Sequence, residues 1–363
     1  MQKSSNPNPI WYWLRKNSLY AAVTLLLILL PHLIGWATGS SPYGIPRGQR
    51  MIMSGQSVYW MSILIDVFAV SVLVMSYNLM FGFTGVISFG HAMFFGLGGY
   101  ILGMVAQFSG MDPTLGFFVG IGLVLLVCAL LGVGIALATL RLRGVYFAIF
   151  TLAVAEMVWI FFSRWSVTSG EDGFTLNNLP VWADSSQSRI NLYYLALLLF
   201  ITTFIFIRRL VGSPTGAVFQ AIRENEPRAQ SLGYNTLRFK MLSITAAGML
   251  AGMAGVIHAL LARKIGPEML AVSHTVDALL MTIIGGVGTF TGPILGASGL
   301  TLADTLLRQV KLEIGTFTLD IGASWSLILG LIFVVVVLVF PYGIIGTWTR
   351  LRLWIARLRQ PTT

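Results

Sequence analysis

The residues able to do chemistry in this 363-residue chain are few and scattered. Four histidines, His32, His91, His258 and His274, stand without metal-ligand spacing. The one cysteine, Cys128, lies in an apolar run and reads as a small buried hydrophobe, which excludes a disulfide framework and a thiolate metal site. A phosphate-cradling P-loop needs a Gly-Lys step, and no lysine here follows a glycine. No nucleophile–base pattern or carboxylate pair stands out. The sequence therefore assigns no catalytic residue and no metal site, and it argues against an enzyme acting alone. What it offers is charge in unusual places.

Two kinds of place matter. Four acids, Asp66, Glu156, Asp277 and Asp304, fall within or near apolar runs. Ionisable groups at membrane depth are costly and face a bundle interior or a water path. Glu156 is the deepest; it reads either as lining a path or as a structural hydrogen bond to a neighbouring helix. The other three, nearer the run ends, read as structural. The run Tyr77–Tyr100 mixes glycines with Asn78, Thr84, Ser88 and His91. Thr84, Ser88 and His91 are candidates for lining a path with Glu156, although a histidine there also serves a purely structural role. The second place is Gly216–Lys240, a charged island carrying Arg223, Glu224, Asn225, Glu226 and Arg228. Residues 217–232 form a helix candidate, but Pro227 must sit in a first turn or kink it. Two short helices meeting near Asn225–Glu226 are expected. Such an island is either a solvated loop or a helix shown to a soluble partner.

The elements that hold these residues are set by composition. Hydrophobic residues make up 56% of the chain and charged residues 10%, and the mean hydropathy is +0.81. Soluble domains carry about 25% charged residues, so the bilayer must cover most of this surface. Crossing it takes about 20 apolar residues. Candidate spans are 18–36, 58–80, 85–107, 115–139, 145–162, 191–207 and 241–262, then a Gly-interrupted segment at 276–308 and a last span at 323–341. The first run is long for a signal peptide and reads as an uncleaved helix. The expected fold is an all-α polytopic membrane bundle of about 8–10 spans, with Gly-interrupted short helices. A cytoplasmic N-tail (1–17) precedes the membrane domain (18–345), which includes the island at 212–240, and a basic cytoplasmic tail (346–363) follows.

Lys and Arg fix the orientation. With the N-tail inside, Arg141, Arg143, Arg208, Arg209 and the island all fall on the inner side. For Arg350, Arg352, Arg357 and Arg359 to lie there too, segment 276–308 must cross twice or dip in and return, turning at Gly285–Pro293. Both arms are short for full spans, which suits helices buried in protein. The net charge of +10 is thus topological; nucleic-acid binding is not needed, and the basic tail can rest on anionic lipid. Small residues four apart (Gly99/Gly103, Gly116/Gly120, Gly248/Gly252, Gly292/Gly296) read as bundle packing. FTGVI at 83–87 echoes FTGPI at 290–294. The longest outer loop, 163–190, carries the turn Thr168–Gly173, with Glu171 and Asp172 at its tip; it is either solvated or a partner's landing site.

AIRENEPRAQSLGYNTLRFK resembles the coupling segment of ABC importer permeases, in particular the branched-chain amino acid permease family. There a Glu-x-x-x-Ala-x-x-x-Gly-like pattern faces the ATPase; Glu226 and Gly233 occupy the outer positions of a related spacing, and Pro227 departs from it. TGVISFGHAMFFGLGGY, RLRGVYFAIFTLAVAE, SGEDGF and IIGGVGTFTGPILGA resemble the family's other motifs, in order, over about 77–345. The resemblance implies one transmembrane subunit of a binding-protein-dependent importer of the bacterial inner membrane. It implies a second permease subunit, two cytoplasmic ATPases that hold ATP and Mg, and a periplasmic substrate-binding protein. No cofactor would be bound by this chain. Arg223, Glu224, Asn225, Glu226, Arg228 and Gly233 would meet the ATPase, and Glu171 and Asp172 the binding protein. Urea and short-amide permeases share these motifs, so the cargo stays open between them and amino acids. An ion-driven transporter, with Glu156 carrying a proton, is the reading from another class.

Overall fold

The computed structural model describes residues 18–47, 50–139, 142, 144–307, 311–314, 317–320 and, further on, 327–328, 330–331, 334–335, 338 and 343–347. The N-tail, Arg141, Arg143, most of the expected span 323–341 and nearly all of the basic tail lie outside the described residues. Among those described, seven helices are long and apolar enough to cross a membrane. They are α1 (Ser18–Thr38), α2 (Gln56–Asn78, extended to Phe83 by a π-helical turn), α3 (His91–Phe108), α4 (Pro113–Ala138), α5 (Val145–Arg164), α6 (Arg189–Val211) and α8 (Thr236–Ala262). The island forms α7 (Pro214–Ser231) between α6 and α8. The protein is an all-α polytopic membrane protein.

Three helices make the interior. In their most apolar stretches α2, α3 and α8 are 67%, 78% and 67% buried, against 6–39% for α1, α4, α5 and α6. The outer four therefore leave apolar surface for lipid or another subunit. Small residues bring α3 and α8 together: a Cβ on Gly98 would strike the Gly252 carbonyl, and one on Gly255 the Phe95 carbonyl. Backbone-to-backbone contact of this kind holds helices together in lipid, where burial of apolar surface gives little drive. Gly252 was expected on such a face. Gly99 meets Ala259 of α8 as well as Met269, while Gly103 accommodates Ile265 and Phe174 from connecting segments.

Segment 276–308 forms a hairpin, α9 (Ser273–Gly285) and α10 (Gly292–Leu307), both packed on α2. At 13 and 16 residues neither reaches the roughly 20 needed to span lipid alone, as the sequence indicated. The expected span at 85–107 is shifted. Residues 84–90 are not helical, and α3 starts at His91. Gly85 has φ +76°, which breaks any helix there. Side chains supply the missing backbone partners: Thr151 Oγ1 accepts from Phe89 N at 3.1 Å, and Ser88 Oγ accepts from Gly90 N at 3.2 Å.

Residues 165–188, at the end of the bundle away from α7, are packed rather than loose. Leu176, Leu179 and Ala183 are buried. Phe174–Thr175 pairs antiparallel with Lys264–Ile265 as a short two-stranded ladder. Small antiparallel hairpins pair 45–47 with 50–52 and 311–314 with 317–320.

Candidate functional site

Helix α7 starts where Pro214 takes its first turn, a position with no amide to lose. It breaks at Asn225, whose backbone is extended at φ −159°, ψ 95°. The Asn225 side-chain oxygen then accepts from Arg228 N at 3.0 Å, which makes Asn225 the N-cap of a second short helix with Pro227 in its first turn. These are the two helices expected from the sequence. The second ends at Gly233, φ +89°: Gly233 N donates to Gln230 O and Tyr234 N to Ala229 O, the paired bonds of a glycine-stopped helix. Asn235 then caps α8 through Arg238 N. One face of α7, Val218, Phe219, Ile222 and Ala229, is buried, with Phe239 of α8 packed against it. Glu224, Asn225, Arg228, Gly233 and the apolar Leu232 and Tyr234 are exposed.

Two of the island's charges bond to the helices beneath it: Glu226, which is half-buried, and Arg223, which is exposed. Glu226 forms an ion pair with Lys240 Nζ of α8 at 2.7 Å, with 22% and 13% of the two side chains exposed. Thr236 Oγ1 donates to the same carboxylate at 3.1 Å and accepts from Gln230 Nε2 at 2.9 Å. Glu226 thus ties the break in α7 to the foot of α8. Arg223 donates from Nη1 to the Gly82 carbonyl in the π-helical turn, and it packs on Gly85 and Gly288. Gly288 lies in the α9–α10 turn, which Asn78 grips: Asn78 Nδ2 donates to Thr289 O at 3.0 Å, and Gly288 N donates to Asn78 Oδ1 at 2.9 Å. The two Phe-Thr-Gly sequences meet here, with the Phe83 and Phe290 rings 5.5 Å apart. A cleft of about 140 Å³ opens beside them, lined by Ile222, Arg223, Glu226, Lys240, residues 84–87 and the α4–α5 connection.

The other candidates are placed differently. Thr84, Ser88 and His91 are buried and each is bonded within the protein. Thr84 Oγ1 shares a hydrogen bond with Ser243 Oγ at 2.8 Å, Ser88 Oγ takes Gly90 N, and His91 Nε2 meets Ser76 Oγ at 2.8 Å. Glu156 is half-buried on α5, and no hydrogen bond or ion pair joins it to another described residue. Glu171 and Asp172 are exposed on a tight turn between Ser169 and Gly173, both at positive φ. Among the described residues no three His, Cys, Asp or Glu side chains stand close enough to hold a metal ion. Lys240, Thr236, Gly82 and Gly288 belong to the junction and were given no role from the sequence; Asn78, noted there only as a polar residue of its run, belongs to it too. Lys240 carried a signal, as a lysine at the foot of a span.

Fold and junction together define a multi-pass helical membrane protein with a polar, broken helix inserted between two spans and braced against two inner turns. Residues 59–338 match the family described as branched-chain amino acid transport system / permease component, and the chain belongs to that family. It is 28% identical to the high-affinity branched-chain amino acid transport permease LivM of Salmonella typhimurium, over 78% of this chain and 68% of that one. It is also 28% identical to the probable branched-chain amino acid transport permease LivH of Methanocaldococcus jannaschii, over 43% of this chain and 50% of that one. The autoinducer 2 import permease LsrC of an Enterobacter species shares 36% identity over 27% of this chain and 30% of its own length.

Proposed function

We propose that this chain is one transmembrane subunit of an ABC importer that moves branched-chain amino acids across the bacterial inner membrane. A second permease subunit pairs with it, a periplasmic binding protein delivers cargo to the 163–190 side, and two cytoplasmic ATPases hold the ATP and Mg. Both termini lie in the cytoplasm. The chain itself is a non-enzymatic path. The observation that carries this reading is α7: an exposed polar face toward solvent, and on its other side Arg223 and Glu226 attached to the inner turns and to α8. A push on α7 has two rigid routes into the membrane helices, and switching proteins amplify small shifts through such packed elements. The names of the relatives favour branched-chain amino acids over urea or amides, and the LivM and LivH pair favours a heterodimer.

The test is Glu226→Arg in the assembled importer. Uptake should be abolished, with expression and cargo capture by the binding protein intact. Normal uptake would overturn the assignment. Uptake that resists vanadate and collapses with an ionophore would point to the ion-driven alternative.

A further inference from the structure

Helix α8 has a second end that the junction does not use. At 27 residues it is about 40 Å long, with Glu226 attached at its foot. Its far end stops at Arg263, which is left-handed at φ 55°, ψ 14° and donates its amide to Ala259 O at 2.8 Å. Residues other than glycine are strained in that conformation and keep it only where the surroundings hold them. Arg263 is one of two such residues among those described; the other, Ser169, begins the turn that carries Glu171 and Asp172.

What holds Arg263 is the outer segment. Its Nη2 donates to Leu176 O at 3.1 Å, and its Nε pairs with Asp184 Oδ1 at 3.4 Å. The Asp184 side chain is 4% exposed. It also accepts from the neutral donors Ser186 N, Ser186 Oγ and Gln187 Nε2. The backbone adds a second set of ties. Arg263 O accepts from Leu176 N at 2.9 Å, and the ladder continues with Thr175 opposite Lys264 and Phe174 opposite Ile265. Ser185 Oγ donates to Leu261 O at 3.3 Å. A Cβ on Gly173 would strike the Ile265 carbonyl. Asn178 Nδ2 donates to Ala106 O of α3 at 3.0 Å, and α3 is itself packed backbone to backbone on α8. Residues 173–185 are thus fastened to the end of α8 by ladder, ion pair and side-chain bonds, directly after the exposed Glu171–Asp172 tip. Contacts packed this closely shift together rather than deform continuously.

We infer that Arg263 is a positioning residue that makes segment 173–185 and α8 one moving body, so that the outer face presents a surface set by the position of α7. The partner that fits this surface is the binding protein on that side; this rests on reading the chain as an importer permease. Coupling free energy between two sites is reciprocal. A binding protein that docks better on one position of the segment therefore biases α8 and α7 toward that position, and with them the ATPases. Arg263 acts in this through the segment it holds.

The complete importer in vesicles tests this, with labelled leucine as probe and ATP turnover measured with and without loaded binding protein. Arg263→Gly suits the left-handed backbone and removes both side-chain bonds. Stimulation of ATP turnover by the binding protein should fall about tenfold, the worth of one charge-assisted hydrogen bond, while basal turnover stays at the wild-type level. Adding Thr175→Cys and Lys264→Cys to this variant supplies a substitute tie. These positions are exposed and face each other beside the bonded Leu176–Arg263 pair, so their Cα atoms stand about 4.5 Å apart, within disulfide reach; the native Cys128 is buried. Oxidising the pair should restore stimulation and reducing it should abolish it again, a reversal that a merely structural role does not give. In an otherwise wild-type chain the same disulfide should leave uptake unchanged, because the parts it joins do not separate. Full stimulation in Arg263→Gly, parallel loss of basal and stimulated turnover, no rescue on oxidation, or uptake lost on cross-linking the otherwise wild-type chain overturns the tie and leaves the permease reading standing. Absence of leucine uptake by the wild-type importer refutes that reading itself. If Arg263→Gly does not assemble, Arg263→Lys keeps the charge but not the forked geometry. It should lose stimulation with basal turnover intact, and full stimulation contradicts the tie.

Discussion

The protein contains two deliberate breaks in helix, built by opposite means. In α7 the break at Asn225 is polar: an Asn cap, a first-turn proline and an ion pair to α8 hold two short helices at an angle. Between α9 and α10 the break is uncharged and glycine-built, with Asn78 and Thr289 bonding its turn. A Cβ on Gly285 would strike the Gly292 carbonyl, and one on Gly296 the Met281 carbonyl. The first break faces water and is fixed by side chains that can let go. The second is fixed by close backbone packing, which has few intermediate states, and by the neutral Asn78 amide rather than by an ion pair. Arg223 reaches from the first to the second. The contrast teaches where each break is sensitive: one to charge, the other to volume.

Substitutions sharpen that contrast. The largest effect falls on the packed break. Gly285→Val should prevent α9 and α10 from closing, at a cost of about 1–3 kcal/mol or more, read as loss of assembled protein or a lowered thermal midpoint in detergent. An unchanged midpoint would show that the hairpin is not closely packed. Next comes the bridge. Arg223→Met should leave the bundle folded and α7 in place but cut uptake about tenfold, the worth of one strong hydrogen bond. Wild-type uptake would detach the two breaks from each other. The smallest effect is at the cap itself: Asn225→Ala removes one side-chain acceptor, for about 1 kcal/mol. It should lower the thermal midpoint slightly and reduce uptake little. An effect as large as that of Gly285→Val would mean the two breaks are equally rigid.

The two breaks also differ in how much of them the sequence revealed. Pro227 beside Asn225 forecast the elbow in α7, because proline restricts the turn it occupies whatever surrounds it. The glycine run at 285–293 forecast the hairpin for a similar local reason. Long apolar runs located all seven membrane-length helices among the described residues, since hydropathy needs no knowledge of neighbours. What stayed hidden was tertiary. Arg223 and Glu226 sit among exposed charges, and nothing local distinguishes a charge bonded to the membrane helices from one that is not. Their partners, Gly82 and Lys240, are 141 and 14 residues away. The shift of α3 to His91 was equally hidden: residues 84–90 are apolar enough for a span, but Thr151 and Ser88 stabilise them as an extended connection. The Asp66–His258 pair joins residues 192 apart in the chain, so Asp66 read as a structural acid whose partner the sequence could not name.

The central claim is that the Glu226–Lys240 pair carries movement from α7 into α8. Reversing the pair tests it most directly, with leucine uptake measured for Glu226→Lys, Lys240→Glu and the double variant in the assembled importer. Each single variant leaves two like charges in a largely buried contact and should fall to a tenth of wild-type uptake or less, as expected for charges that close with little water between them. The double variant restores the attraction and should regain most of the activity. A double variant as inactive as the singles, or singles that transport normally, would contradict the account.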